Sequence, residues 1–199
     1  MDGTIICYGD SNTYGHDPVS GGEGRYAPEV RWTGILEKES GCTVRNHGVC
    51  GREIPHYGPQ TDFALEQLGE WWRGAAPVKL MIMLGTNDLL MTPGFTAKDT
   101  AQRMERFLGM MAAHPAVTSG GVELRLIAPP PMKPGSWVDE TRLVTESEAL
   151  GSAYGRIAAK LGIDFTDAGK WDIPVVFDGV HFSAEGHRRF AEGILAELK

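Results

Sequence analysis

The sequence has few cysteines, no long apolar run and no excess of basic residues, and each shortage excludes a class of protein. The three cysteines, Cys7, Cys42 and Cys50, contain no CxxC pair, so they indicate neither a disulfide framework nor a thiolate zinc site. No stretch approaches the roughly 18 to 20 apolar residues of a membrane-spanning helix. The formal net charge of −7 argues against a nucleic-acid binder, which needs a stripe of Lys and Arg on its surface.

What is present is ordinary for a globular protein. The chain has 199 residues, of which 42% are hydrophobic, enough to bury roughly 70% of the surface that the unfolded chain exposes. Its first residues, 1–3, lead into an apolar run without the basic segment or cleavage site of a secretory signal. We therefore expect a single domain over residues 1–199, soluble and cytoplasmic, that binds neither nucleic acid nor a membrane.

Short apolar runs alternate along the chain with segments of helical periodicity. The predicted strands are Thr4–Gly9, Thr43–Asn46, Val78–Leu84, Val122–Ile127 and Ile163–Thr166. The predicted helices are Arg31–Ser40, Asp62–Trp72, a helix capped by Thr96 that ends at His114, Asp139–Leu161, and a last helix capped by Ser183. This alternation predicts an α/β fold, a three-layer α/β/α sandwich with a five-stranded, mainly parallel sheet.

Polar residues and residues typical of turns follow the predicted strands. In open parallel sheets the ligand site lies beyond the carboxyl ends of the strands, so these segments are expected to meet. Three of them follow a strand directly, and the fourth precedes the last helix. They are Gly9–Gly15 (GDSNTYG), Asn46–Gly51 (NHGVCG), Gly85–Asp88 (GTND) and Asp178–His181 (DGVH).

Together these segments resemble the four signature blocks of the SGNH (GDSL) hydrolase family, and they occur in the family's order. The resemblance implies the flavodoxin-like fold of that family and a catalytic triad in which Ser11 is the nucleophile. Asp178 and His181 correspond to the family's acid and base. Gly51 and Asn87 correspond to two oxyanion donors that act together with the backbone N–H of Ser11.

Two further segments are similar to the mycobacterial-type aryl-esterase/acyltransferase branch of the family. They are Arg25–Gly34 (RYAPEVRWTG) and the loop Pro129–Trp137. Such relatives act on small esters, transfer acyl groups to alcohols or peroxide, and form oligomers that narrow the site, so the resemblance implies a homo-oligomer. Asn12 replaces the Leu of the GDSL consensus, a difference that we expect to lie outside the chemistry. His16 stands where close relatives carry a second aromatic residue.

The residue types also suit the chemistry of ester cleavage without the analogy. A serine hydroxyl becomes a good nucleophile only when a neighbouring base takes its proton, and His181 can do so because imidazole titrates near neutral pH. Asp178, three residues earlier, can hold the other ring nitrogen of His181. A backbone N–H at Gly51 and the side-chain amide of Asn87 can stabilise the charge that develops on the attacked carbonyl oxygen.

Taken singly, these residues have simpler interpretations. Ser11 could cap a helix, Asn87 and Asp88 are typical of a turn, and we interpret Asp88 as structural even in the block context. His181 and His187 lie near Glu185, but the spacing is not that of the HExxH zinc signature. We therefore expect no metal and no cofactor.

The sequence thus predicts a serine esterase that hydrolyses small, short-chain acyl or aryl esters through an acyl-enzyme, with acyl transfer as a further expected activity. Tyr14, His16 and Trp137 are the expected walls of the substrate pocket. Three alternatives stay open: a carbohydrate deacetylase, a lysophospholipase or thioesterase with a preference for long acyl chains, and a binding module that keeps the fold without turnover. The intact set of Ser11, Asp178, His181 and Asn87 argues against the last.

Overall fold

The computed structural model describes residues 3–20, 24–71, 77–119 and 121–198. These form a five-stranded sheet in the order β2-β1-β3-β4-β5, and every neighbouring pair is parallel. The strands are β1 (Thr4–Gly9), β2 (Thr43–Gly48), β3 (Pro77–Met83), β4 (Glu123–Ala128) and β5 (Asp164–Asp167). The predicted strands are confirmed: β1 has the predicted ends, and the ends of the others differ by at most two residues.

Helices connect the strands and form the outer layers. They are α1 (Ser11–Tyr14), α2 (Trp32–Ser40), α3 (Gly58–Trp71), α4 (Thr86–Met91), α5 (Ala97–Ala113), α6 (Pro115–Thr118), α7 (Thr141–Leu161) and α8 (Ala184–Glu197), with one turn of 3₁₀ helix at Ala168–Trp171. The five predicted helices correspond to α2, α3, α5, α7 and α8. Trp72, predicted as the last residue of the helix that is now α3, lies outside the described residues. The short helices α1 and α4 occupy segments that the sequence predicted as turns.

Local side-chain caps explain where two of the long helices begin. Thr96 and Asp99 form a capping box at the start of α5: the Asp99 N–H donates to Thr96 Oγ1 at 3.2 Å and the Thr96 N–H donates to Asp99 Oδ2 at 3.1 Å. Ser183 Oγ accepts from the Gly186 N–H at 3.1 Å at the start of α8. Both caps were predicted from the sequence.

The sheet separates two hydrophobic cores, and alternate residues of each central strand point into different ones. In β1, Ile6 and Tyr8 belong to the core that contains side chains of α3, α5 and α7. Ile5 and Cys7 belong to the core on the other face, with side chains of α2 and α8. Because both faces of β1 are covered, an apolar residue is needed at every position, which is why the strand reads as a continuous apolar run. No helix in the described ranges is both long and apolar enough to cross a membrane.

The carboxyl ends of the parallel strands meet at one edge of the sheet, and the chain is closely packed there. A Cβ atom at Gly48, the last residue of β2, would lie 2.0 Å from the backbone nitrogen of Tyr14. Only glycine therefore allows the end of β2 to approach α1. This contact brings the segment that follows β2 next to the segment that follows β1.

Candidate active site

Ser11 is the first residue of α1, directly after the end of β1. Asp10 is the N-cap of this helix, since its Oδ1 accepts a hydrogen bond from the Asn12 N–H at 3.0 Å. The interpretation of Ser11 as a helix cap is therefore wrong, and its hydroxyl is left for another partner. Burial raises the pKa of Asp10 to about 6, against the opposing effects of the Asn12 N–H and the charge of Arg52.

Three side chains from two distant parts of the sequence form a continuous chain of hydrogen bonds. Ser11 Oγ lies 3.0 Å from His181 Nε2, and His181 Nδ1 lies 2.7 Å from Asp178 Oδ2. A carboxylate can only accept, so Nδ1 of the neutral ring carries the proton and Nε2 is left as the acceptor for the Ser11 hydroxyl. All three residues are buried. The structure thus brings together the three residues that the sequence predicted as a triad.

The loop from Asp178 to His181 holds the carboxylate and the imidazole in one unit. Asp178 Oδ1 accepts from the backbone N–H groups of Val180 at 2.8 Å and His181 at 2.9 Å, so Oδ2 is free to face the ring. Burial acts to raise the pKa of Asp178, but these bonds and the His181 side chain outweigh it, and the pKa lies below its ordinary value. Gly179 has a φ of +83°, and a Cβ there would lie 2.0 Å from the Lys133 carbonyl oxygen, so the turn requires glycine.

His181 is set up to act as a neutral base. Burial is the largest effect and lowers the pKa of His181. The hydrogen bond and attraction to Asp178 raise this pKa, and the charge of His16 lowers it. The net pKa is below 6.5. The imidazole is therefore unprotonated at neutral pH and can accept a proton. The ring centroids of His16 and Trp137 lie 4.8 Å and 5.1 Å from that of His181, both in edge-on contact. Two of the predicted pocket residues thus contact the His181 ring.

The two predicted oxyanion donors are connected through Arg52, which sequence reasoning had not singled out. Asn87 Nδ2 donates to the backbone oxygen of Arg52 at 3.1 Å, which orients the amide and leaves its second N–H for another acceptor. The Arg52 guanidinium donates to the carbonyl oxygen of Gly9, at the end of β1, at 2.9 Å. Gly51, next to Arg52, has a φ of +73°, and a Cβ there would meet no atom within 4 Å. The N–H of Ser11 belongs to the first turn of α1, where backbone donors have no partner within the helix.

Residues 7–189 match the model of the GDSL-like lipase/acylhydrolase family. This chain belongs to that family. It is accordingly a carboxylic ester hydrolase, and the predicted resemblance to SGNH hydrolases is confirmed. No curated protein matches the chain significantly.

Solved structures of the same fold match this acylhydrolase over nearly its whole length. A carbohydrate acetylesterase of Sinorhizobium meliloti, Est24, is 26% identical with a TM-score of 0.84, and the match covers 98% of this chain and 97% of that one. A protein of Agrobacterium tumefaciens provisionally assigned as an arylesterase is 28% identical with a TM-score of 0.82, over 98% of each chain. The aryl esterase of M. smegmatis, 24% identical over 98% of each chain with a TM-score of 0.85, shows the fold.

Two exposed aromatic residues lie on the segments next to the acylhydrolase site: Trp137, whose ring contacts His181, and Phe177, which directly precedes Asp178. Trp137 is 55% exposed and Phe177 is 64% exposed. The Trp137 N–H donates to the Asp178 carbonyl oxygen and the Ser136 N–H to that of Phe177, both at 3.1 Å, so the two segments run side by side. Phe177 was missed from the sequence; the signal that could have found it is a large aromatic residue directly before the DGVH block.

Tyr14 differs from the other two predicted pocket residues in what it contacts. The guanidinium carbon of Arg25 lies 4.0 Å from the centre of the Tyr14 ring, and Arg25 Nε donates to the Tyr14 carbonyl oxygen at 2.8 Å. These contacts hold the ring against the segment that follows α1. A role for Tyr14 as a pocket wall stays a prediction.

Two further polar residues near the site, Asp88 and His187, have structural partners. Asp88 is buried and accepts from the Ile54 N–H and from Arg103 at 3.1 Å each, so its structural interpretation is confirmed. His187 is also buried; its Nδ1 accepts from the Trp32 N–H at 3.3 Å, and burial lowers its pKa to about 3. In the part of the chain that the structure describes, no group of three or more His, Cys, Asp or Glu side chains is arranged to hold a metal ion.

Proposed function

We propose that this acylhydrolase is a serine esterase for small, short-chain acyl or aryl esters, with Ser11 as its nucleophile. The observation that carries the proposal is the chain of hydrogen bonds from the Ser11 hydroxyl through His181 to Asp178, with lengths of 3.0 Å and 2.7 Å. The order of donors and acceptors in this chain is the one that nucleophilic attack by serine requires.

In the first half of the proposed reaction, Ser11 Oγ attacks the ester carbonyl while His181 Nε2 takes the hydroxyl proton. Asp178 keeps the ring in the required tautomer and stabilises the imidazolium that forms. The N–H groups of Ser11 and Gly51 and the free amide N–H of Asn87 donate to the oxyanion. His181 then protonates the leaving alcohol, and the acyl group stays on Ser11.

In the second half, His181 removes a proton from a water molecule that attacks the acyl-enzyme. The same oxyanion donors stabilise the second tetrahedral intermediate, and the proton returns from His181 to Ser11 as the acid is released. An alcohol in place of water would give acyl transfer by the same steps.

The shape of the rim supports small and flat substrates. Trp137 presents an exposed ring in edge-on contact with His181, which suits an aryl group or a short acyl chain better than a long flexible one. We propose Tyr14 and His16 as further walls on the side of α1.

A carbohydrate deacetylase is a second candidate, and one observation favours it. His16 Nδ1 lies 3.1 Å from the Gly24 carbonyl oxygen, which can only accept, so the neutral ring has its proton on Nδ1. Its Nε2 is then an acceptor, and a sugar hydroxyl is a matching donor. Est24, which has this fold, is a carbohydrate acetylesterase.

The test is the hydrolysis of p-nitrophenyl esters from acetate to palmitate and of acetylated sugars, with Ser11→Ala and Ser152→Ala measured beside the natural chain. Ser152 lies on the exposed side of α7, bonded only within its own helix, and its variant is the matched control. We expect an optimum at short acyl chains and a fall of roughly 10⁴-fold or more in kcat for Ser11→Ala alone. Turnover by Ser11→Ala at the natural rate would overturn the proposal, and an optimum beyond about ten carbons would overturn its substrate class.

A further inference from the structure

Asn12 follows Ser11 directly and connects it to the loop that carries His181. Its side chain is buried, with 5% of the residue exposed. Asn12 Nδ2 donates to the Val180 carbonyl oxygen at 3.1 Å, and the Phe182 N–H donates to Asn12 Oδ1 at 2.9 Å. One side chain therefore bonds the residues immediately before and after His181.

The chemistry of these partners fixes the orientation of the amide. The Val180 carbonyl can only accept and the Phe182 N–H can only donate, so the two ends of the amide cannot exchange places. The backbone of Asn12 is held as well: its N–H donates to Asp10 Oδ1 at 3.0 Å, and its oxygen accepts from Trp32 Nε1 at 3.1 Å. Asn12 is thus a fixed point within α1.

The bonds of Asp178 and those of Asn12 do different things for the base. Asp178 binds the Val180 and His181 N–H groups, which shapes the loop internally but does not relate it to the nucleophile. Asn12 lies next to Ser11 in the chain, so its two bonds set the loop's position relative to the serine. The sequence-based expectation that Asn12 lies outside the chemistry overlooked these contacts.

We propose that Asn12 is a positioning residue that holds His181 Nε2 within hydrogen-bond reach of Ser11 Oγ. This inference rests on the proposed roles of Ser11 and His181. Leucine, the residue of the GDSL consensus at this position, has a similar size but can make neither bond, and it would leave Val180 and Phe182 with unpaired buried groups. The position of the base in this enzyme then depends on an amide that a leucine could not replace.

The expected signature is a loss of kcat without a loss of substrate binding. Proton transfer depends steeply on the position of the base, and a displacement of about 1 Å costs roughly 10²-fold in rate. Trp137, the exposed ring in contact with His181, makes no hydrogen bond with the Asn12 side chain, so KM should change little. A purely structural defect would instead lower the amount of folded enzyme.

The test measures kcat and KM for p-nitrophenyl acetate, and the thermal midpoint, for Asn12→Leu, Asn12→Asp and the control Thr100→Val. Thr100 is also buried and donates from its side chain to a backbone oxygen, that of Thr96 at 3.0 Å, but it lies in α5. We expect a fall in kcat of about 30- to 100-fold for Asn12→Leu with KM within about twofold, and an unchanged kcat for Thr100→Val. A natural kcat in folded Asn12→Leu would overturn the inference.

Asn12→Asp keeps the test decisive where the leucine variant fails to fold. A protonated carboxyl can donate to Val180 and accept from Phe182, whereas the carboxylate can only accept. The kcat of folded Asn12→Asp at pH 8 should therefore fall about 30- to 100-fold with KM within about twofold, because the carboxylate cannot donate to the Val180 carbonyl oxygen, and a natural kcat would overturn the inference. Because Ser11→Ala tests the triad separately, an inactive Ser11→Ala beside a fully active Asn12→Leu would overturn only the role of Asn12.

Discussion

The two ends of the parallel sheet both carry polar and charged side chains, but they hold them in opposite ways. At the carboxyl end, Ser11, Asp178 and His181 are buried and each makes specific short hydrogen bonds. At the amino end, Lys79 and Arg125 both reach Asp164, at 3.5 Å and 2.9 Å. The Lys79 and Arg125 side chains are largely buried, at 7% and 11% exposed, but the Asp164 side chain is 46% exposed, so water shares in the solvation of this carboxylate.

The buried hydrogen bonds at the carboxyl end serve the proposed chemistry, whereas the ion pairs at the amino end join neighbouring strands. Exposed ion pairs contribute about 0–1 kcal/mol, because water and salt screen the charges and several geometries serve equally well. A buried donor or acceptor has one partner and one useful geometry, and its loss cannot be compensated by water. Substitutions at the carboxyl end should therefore abolish turnover, and equivalent ones at the amino end should change stability slightly.

Among variants that compare the two ends of the sheet, the largest effect on kcat is expected for Asp178→Asn. The amide would bind His181 in the wrong tautomer, with Nε2 protonated and unable to accept from Ser11. We expect a fall of about 10⁴-fold in kcat at pH 7 with the fold retained, measured by ester hydrolysis and thermal unfolding. Asp164→Asn is the matched control at the other end of the sheet. Similar rates for the two variants would remove the distinction between the ends.

The next effect is expected for Asn87→Ala, which removes the proposed oxyanion donor and also the bond to the Arg52 carbonyl oxygen. Loss of one such donor typically costs about 10² to 10³ in rate. The fall should appear in kcat, since the donor acts on the charge of the transition state, and KM for p-nitrophenyl acetate should change little. A rise in KM at constant kcat would assign Asn87 to substrate binding instead.

A smaller effect is expected from pH. The proposed mechanism needs neutral His181, whose pKa lies below 6.5 because burial outweighs the attraction to Asp178. The value of kcat/KM should therefore be constant near neutral pH and fall tenfold per unit once the pH is below that pKa. Asp10 titrates in the same range, with a pKa of about 6, and His16 also faces the ring.

Two variants test which residue causes the fall in kcat/KM at low pH, the acid limb of the pH profile. Asp10→Asn keeps an acceptor for the Asn12 N–H and should leave the limb in place. His16→Phe removes the charge that lowers the pKa of His181 and should therefore move the limb to higher pH. Disappearance of the limb in Asp10→Asn would mean that Asp10, and not His181, controls it.

The smallest effect is expected for the stability of Asp164→Asn. The hydrogen bond from Arg125 lowers the pKa of Asp164, so its contribution is present at pH 7 and is lost as the pH falls through the folded-state pKa, below 3.8. After allowance for exposure we expect a loss of at most about 1 kcal/mol at pH 7 by urea unfolding. An equal loss at pH 7 and well below pH 3.8 would show that the charge is not its source.

The elements that could be predicted are those whose signal is local. β1 and β3 read as buried strands because both faces pack on apolar cores, and α5 was found from a cap and a periodic apolar face. The short helices α1 and α4 were predicted as turns. Helices of four and six residues are too short to show periodicity, and α1 and α4 exist because of the packing around them.

The order and spacing of the residues alone were enough to predict the sheet, the family and the three residues that meet as a triad, because motifs that follow parallel strands must gather at one edge. The contacts of Asn12, Arg52 and Phe177 depended on the folded chain. Asn12 reaches residues 168 and 170 positions away, and Arg52 reaches back 43 positions to Gly9. Such bonds leave no periodicity in the sequence, since each is made by one side chain whose partners are set by how the loops pack.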